Sequence, residues 1–197
     1  MWYPDKSAFR VGRVMGTAWD KDSIALYSFA GGFGNMAKGI FGFVGSGEGG
    51  NNATGTHTFV GNGRDNIASG NYAFIGSGND NNATGVRSFI GSGSGNTASG
   101  QYAAIVGGNG NIASGDFAFI GSGPDLFARS YGESVFGTYA TDYTPMSPTS
   151  FNDADRLFVI GNGTSNANRK DAFTILKNGS TGVGTSAPEN RLHIEGS

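Results

Sequence analysis

"SGNYAFIGSGNDNNATG" occupies Ser69–Gly85, and "TGVRSFIGSGSGNTASG" repeats it fifteen residues later at Thr84–Gly100. The alignment extends both ways. One column holds Asn51, Asn66, Asn81, Asn96 and Asn111, and two places on stand Ala53, Ala68, Ala83, Ala98 and Ala113. A hydroxyl column follows (Thr54, Ser69, Thr84, Ser99, Ser114), then a glycine column from Gly55 to Gly115. Further along, Phe59, Phe74, Phe89, Ala104 and Phe119 stand beside Val60, Ile75, Ile90, Ile105 and Ile120. Imperfect copies flank the array, "SFAGGFGN" at Ser28–Asn35 and "SVFGTYA" at Ser134–Ala140. Phe29 to Phe43 is fourteen residues and Phe43 to Phe59 sixteen, changes that a turn absorbs.

Fifteen residues are too few for a helical-hairpin repeat but hold two short strands and two tight turns. Tyr72-Ala73-Phe74-Ile75 is aromatic and β-branched, and the Gly, Asn and Ser after it are turn residues. The recurrent Asn and Gly are expected at positive φ. Coils stacked at about 4.8 Å would place Asn on Asn and Phe on Phe. The predicted fold is all-β, a parallel β-roll or solenoid. Alternation puts Tyr72 and Phe74 on one face of the strand and Ala73 and Ile75 on the other. One face lines the coil; the other leaves an apolar stripe outside, to which Ile90 is assigned. Monomers rarely expose such a stripe. Its burial predicts an oligomer, with a homotrimer the simplest closure around one axis.

The 197-residue chain contains 36 glycines, without the three-residue period of collagen. Its 15 Phe and 7 Tyr argue against disorder. Thirteen Lys and Arg are scattered among 15 Asp and Glu, so no basic patch offers itself to nucleic acid or anionic lipid. No apolar run approaches a membrane span, and neither nucleic-acid binding nor membrane insertion is expected. There is no cysteine for disulfides or thiolate metal sites. The N-terminus "MWYPDKSAFRVG" does not read as a secretory signal.

From Ser28 to Ala140 the repeats resemble the heads of trimeric autotransporter adhesins of the YadA type, whose pattern is close to S-x-A-I-G-x-G-x-x-A-x-G. The period here is fifteen rather than mostly fourteen residues, and an Asn column is added. The resemblance implies a left-handed β-roll, trimeric, in an extracellular adhesive fibre. Arg156–Ser197, above all "GVGTSAPENRLHIEG", resembles segments of bacterial surface fibres and phage-type tail fibres that precede a self-cleaving intramolecular chaperone. That chaperone is not in the sequence, which implies a fragment or a processed product. Cell surface, phage tail and injection device all remain open as the parent assembly.

Candidate sites are few. "GSGSGN" at Gly91–Asn96 lacks the features of a nucleotide loop and reads as turn glycines. Asp65 and Asp80 share a column whose other members are Gly50, Gly95 and Gly110, which suits turn aspartates better than a calcium site. The hydroxyl column lacks the regular partner column of an ice-binding face: two residues on stand Thr56, Asn71, Val86, Gln101 and Asp116. His57 and His193 have no metal-ligand partner at standard spacing. No catalytic constellation stands out, so neither enzyme activity, cofactor nor metal is expected. The segment "YATDYTPMSPTSFNDAD", Tyr139–Asp155, breaks every column. Tyr139, Tyr143 and Phe151 are its candidate contacts for a cell-surface glycan or protein receptor, although a plain connector suits it better; Asp153 and Asp155 read as turn residues.

The chain therefore divides into a lead-in and cap (1–27), a repeat domain (28–140), a connecting loop (141–155) and a C-terminal stalk (156–197). Trp2, Tyr3 and Phe9 are expected to cover the first coil. The predicted function is structural and adhesive; its rivals are a passive spacer and a polysaccharide-degrading spike.

Overall fold

The computed structural model describes residues 1–196. It is an all-β parallel solenoid with about 15-residue coils, and among the described residues its only helical turns are Pro4–Lys6 and Lys21–Ser23. Each repeat supplies two strands of two residues, as in Phe74–Ile75 and Asn82–Ala83. The first kind stacks into a fourteen-stranded sheet and the second into a seven-stranded sheet. Neighbouring coils pair in parallel with like residues in register: Phe74 on Phe89, Ile75 on Ile90, Ala83 on Ala98. Strands this short form because the chain turns before a third residue can pair.

The core is a single narrow file between the sheets. Val44, Val60, Ile75, Ile90, Ile105, Ile120, Val135 and Val159 come from the long sheet and are fully buried. They face the alanine column that runs from Ala37 to Ala128. Ile90 therefore lies inside the coil, not on the outer stripe, which belongs to the phenylalanines. Tyr72 does not extend the strand either. It is left-handed, with φ 62°, and turns the chain into Phe74.

The turns impose close backbone approach. At Gly78, φ is +115° and a Cβ would lie 2.1 Å from the carbonyl oxygen of Gly93 in the next coil, so only glycine fits. The Asn column is not at positive φ. That conformation falls to the residue before it, Asp65 and Asp80 at 55° and Gly95 at 65°, while the Asn side chains are wholly buried.

The stack reaches beyond the repeats visible in the sequence. Ala8–Arg13 pairs in parallel with Phe29–Phe33, and Ser134–Thr138 with Arg156–Asn162. After that the topology changes: Asp171–Leu176 and Thr181–Val183 pair antiparallel, and Leu192–Ile194 closes the sheet.

Neighbouring coils exchange backbone hydrogen bonds in both directions: Met36 N donates forward to Asn51 O and Lys38 N to Ala53 O, while Asp65 N donates back to Gly49 O and Tyr72 N to Thr56 O. Each end of the stack is thus left with N–H and carbonyl groups that no further coil pairs. At the N-terminal end the buried Arg10 guanidinium donates to Ser28 O and Ala37 O, and Trp19 Nε1 donates to Asn35 O. Trp2 and Phe9 stay substantially exposed, so Arg10 and Trp19 close this end instead. At the other end one oxygen of the buried Glu133 carboxylate accepts from the N–H groups of Arg129 and Ser130, at 2.8 and 2.9 Å.

Candidate functional site

Three surface features stand out: two aromatic ladders and a groove. The first ladder runs through Phe9, Phe29, Phe43, Phe59, Phe74 and Phe89. Its centroid spacings are 4.8–5.9 Å and its rings lie within 17° of parallel. From Phe29 to Phe89 each ring rests on the glycine two residues on, and a Cβ at Gly61 would meet Phe59 at 3.1 Å. Ala104 interrupts the ladder, and Val106 replaces the glycine of that coil. Phe119 resumes it with Phe136, Phe158 and Phe173, now tilted.

The second ladder lies two residues upstream in each coil. Tyr27, Phe41, His57 and Tyr72 stack at 4.5–4.9 Å. The Arg87 guanidinium then lies between the rings of Tyr72 and Tyr102, at 5.2 and 5.3 Å, and Tyr102 stacks on Phe117. All these residues sit at positive φ, which costs a non-glycine residue roughly 1–2 kcal/mol. Stacking at about 0.5–1.5 kcal/mol per pair offsets that cost. Sequence reading missed this ladder because its members share planarity rather than hydrophobicity; Tyr, His, Arg and Phe in one column was the available signal. In both ladders the ring faces are consumed by neighbours, so the surface presents ring edges.

The Asn ladder begins one coil earlier than the aligned column, at Asn35. The Asn81 Nδ2 group donates to Asn66 Oδ1 at 3.0 Å and to Gly93 O at 2.9 Å. Its own Oδ1 accepts from both N and Nδ2 of Asn96. Asn51 and Asn66 repeat the arrangement, whereas Asn96 Oδ1 accepts from Asn111 N alone. Asn111 donates instead to Gly107 O and Gly123 O, and the file ends where Leu126 N donates to Asn111 Oδ1.

A groove of about 730 Å³ opens between the coil turns and the segment after Tyr139. Ser114, Arg129, Asp142, Tyr143, Thr144, Pro145 and Pro148 line it. Arg129 forms a two-pronged pair with Asp142, Nε to Oδ1 at 2.6 Å and Nη2 to Oδ2 at 2.9 Å. This contact raises the Arg129 pKa despite partial burial.

The three candidate contact aromatics are not brought together. Tyr143 lines the groove, but Arg156 covers its ring at 4.3 Å and Arg156 N donates to its hydroxyl. Burial pushes the Tyr143 phenol up to about 12. Tyr139 stands by Arg169, and Phe151 is exposed near Lys177; neither lines the groove.

Behind the groove lies a buried polar cluster. The Arg156 guanidinium is 3.4 Å from Asp171 and donates to Thr141 O at 2.7 Å. Asp155, buried, accepts from Met146 N and Ser147 N and so fixes the segment. Burial raises the Glu133 carboxyl to about 7, against the pull of the Ser130 and Arg129 N–H groups and of the Arg156 and Lys177 charges.

Comparison with known proteins finds no matching family model, curated protein or solved structure. The likeness to adhesin heads rests on the repeats alone. Among the described residues no three acidic, imidazole or thiol groups converge as a metal site would require. No described helix is long and apolar enough to cross a membrane.

Proposed function

We propose that this chain is a rod segment of an extracellular adhesive fibre, in which three copies pack along a common axis and the assembled rod presents receptor-contacting surface. A β-solenoid is compatible with a structural rod. The observation that supports association is the first aromatic ladder, a continuous row of rings with Phe9 and Phe89 each 40% exposed. Covering a Phe side chain fully is worth about 1.5–3 kcal/mol, so a row of partly exposed rings offers a large gain. Rings presented edge-on cannot hold a ligand between them, but they pack well against a like surface. An axis parallel to the stack brings all coils of each copy into contact at once, and three copies close the arrangement. The role is mechanical: three equivalent weak contacts on one stiff body act together.

Light scattering coupled to size exclusion tests this reading. The expected mass is three times that of the chain. A well-folded monomer at roughly micromolar concentration would overturn it. Replacing Phe74 and Phe89 together with Asp is expected to dissociate or unfold the assembly.

A further inference from the structure

We propose that the groove beside Arg129 and Asp142 binds a neutral oligosaccharide. The inference rests on the reading of the chain as an adhesive rod, and it gives that rod its contact site. The groove lies where the stack departs most from its period: Phe119 to Ser134 is fifteen residues, whereas Ser134 to its partner Phe158 is twenty-four. The inserted chain is held on both sides. Asp155 binds two of its N–H groups, and the carbonyls of Ser147 and Pro148 accept from Tyr131 N and Asp116 N of the coils. A wall fixed in advance spares a ligand the cost of ordering it.

The chemistry of the lining selects the ligand class. Arg129 and Asp142 cancel each other's charge while both stay partly exposed. Unused guanidinium donors then lie beside carboxylate lone pairs, with the Ser114 hydroxyl in the same lining. Vicinal sugar hydroxyls, each a donor and an acceptor, match that arrangement. Pro145 and Pro148 add walls of C–H groups against which the apolar face of a pyranose can rest. An aromatic ligand gains less, because the Tyr143 ring is already covered by Arg156. An anionic sugar would have to break the Arg129–Asp142 fork and face the freed carboxylate. A volume of about 730 Å³ lies well within the range of small-molecule sites.

The test is calorimetric titration of the assembled protein with maltohexaose, cellohexaose and mannohexaose, and with hexagalacturonate as the anionic counterpart. At least one neutral probe is expected to bind. Asp142→Ala and Thr144→Trp are each expected to weaken it about tenfold or more, with circular dichroism and assembly mass unchanged. Hexagalacturonate binding as tightly as the best neutral probe would overturn the proposal. So would undiminished binding by both variants, or an intact trimer that binds none of the neutral probes; that last result leaves the rod reading standing. A monomer that binds a neutral probe and loses it in both variants supports the groove while removing the trimer.

Discussion

Asn81 shows how much one buried side chain does in a stack. It bridges the coils on either side, so removing it orphans groups in both. Asn81→Leu leaves Asn66 Oδ1, Asn96 Nδ2 and Gly93 O short of partners. Each buried group left unpaired costs about 1–3 kcal/mol, and a clear fall in melting temperature is expected. A neutral melting profile would show that water replaces the amide. In this column leucine is native only at position 126, where the file ends. Glu133 supplies a second test. Its folded pKa of about 7 lies above the ordinary value of 4.5, so between those values the native state holds the extra proton. Its contribution to stability is greatest below 4.5 and is lost as pH rises through about 7, by roughly 3 kcal/mol at most. The thermal midpoint should fall from about pH 5 to about pH 8, and Glu133→Gln should flatten that dependence. The Asn column was legible because identity repeated every fifteen residues. Arg10 and Glu133 were not, since each end of a stack occurs once. The trace they leave is a charge within a column of small or apolar residues: Arg10 pairs with Ala30, and Glu133 follows Ala103 and Ala118.

Among the strands, the first aromatic ladder obeys an exchange rule. In the coils from Phe29 to Phe89 the ring lies over the glycine two residues on, so ring and glycine occur together there; at the flanks, where the strands lengthen, Phe9 stands with Val11 and Phe158 with Ile160. Where Ala104 replaces the ring, Val106 replaces the glycine. Where Ser134 does, Phe136 swings its own ring over Gly121, 2.5 Å from where a Cβ there would lie. Ala104→Phe alone is therefore expected to collide with Val106 and destabilise. Ala104→Phe with Val106→Gly should rejoin Phe89 to Phe119 and recover about 1–3 kcal/mol from two new stacked pairs. Thermal denaturation of both single variants and the double measures the coupling, and additive effects would refute the rule. The strand columns were readable because alternation leaves one residue of each pair inside. Which face was inside was not readable, since Phe and Ile are both apolar; the decision came from volume, as the narrow file admits Ile and Val against Ala but not a ring.

For the whole molecule, the stack is closed differently at its two ends. Seven coils from Phe29 to Ala128 have both strands. Neither closure touches the middle of that series: Arg10 bonds only to its own neighbour Phe9, Ser28 and Ala37, and the Glu133 carboxylate only to Arg129 and Ser130. A duplicated Ser69–Ala83 should thus slip between its neighbours unseen by either end. The longer protein is expected to keep its circular dichroism per residue and to melt no lower, while small-angle scattering records a body longer by about 4.8 Å. A duplication shifted to sixteen residues should be absorbed at a turn, as it is between Phe43 and Phe59. The same independence makes reach a heritable trait: slippage during replication can lengthen or shorten a lineage's rod one coil at a time, without any new residue having to evolve at its tips.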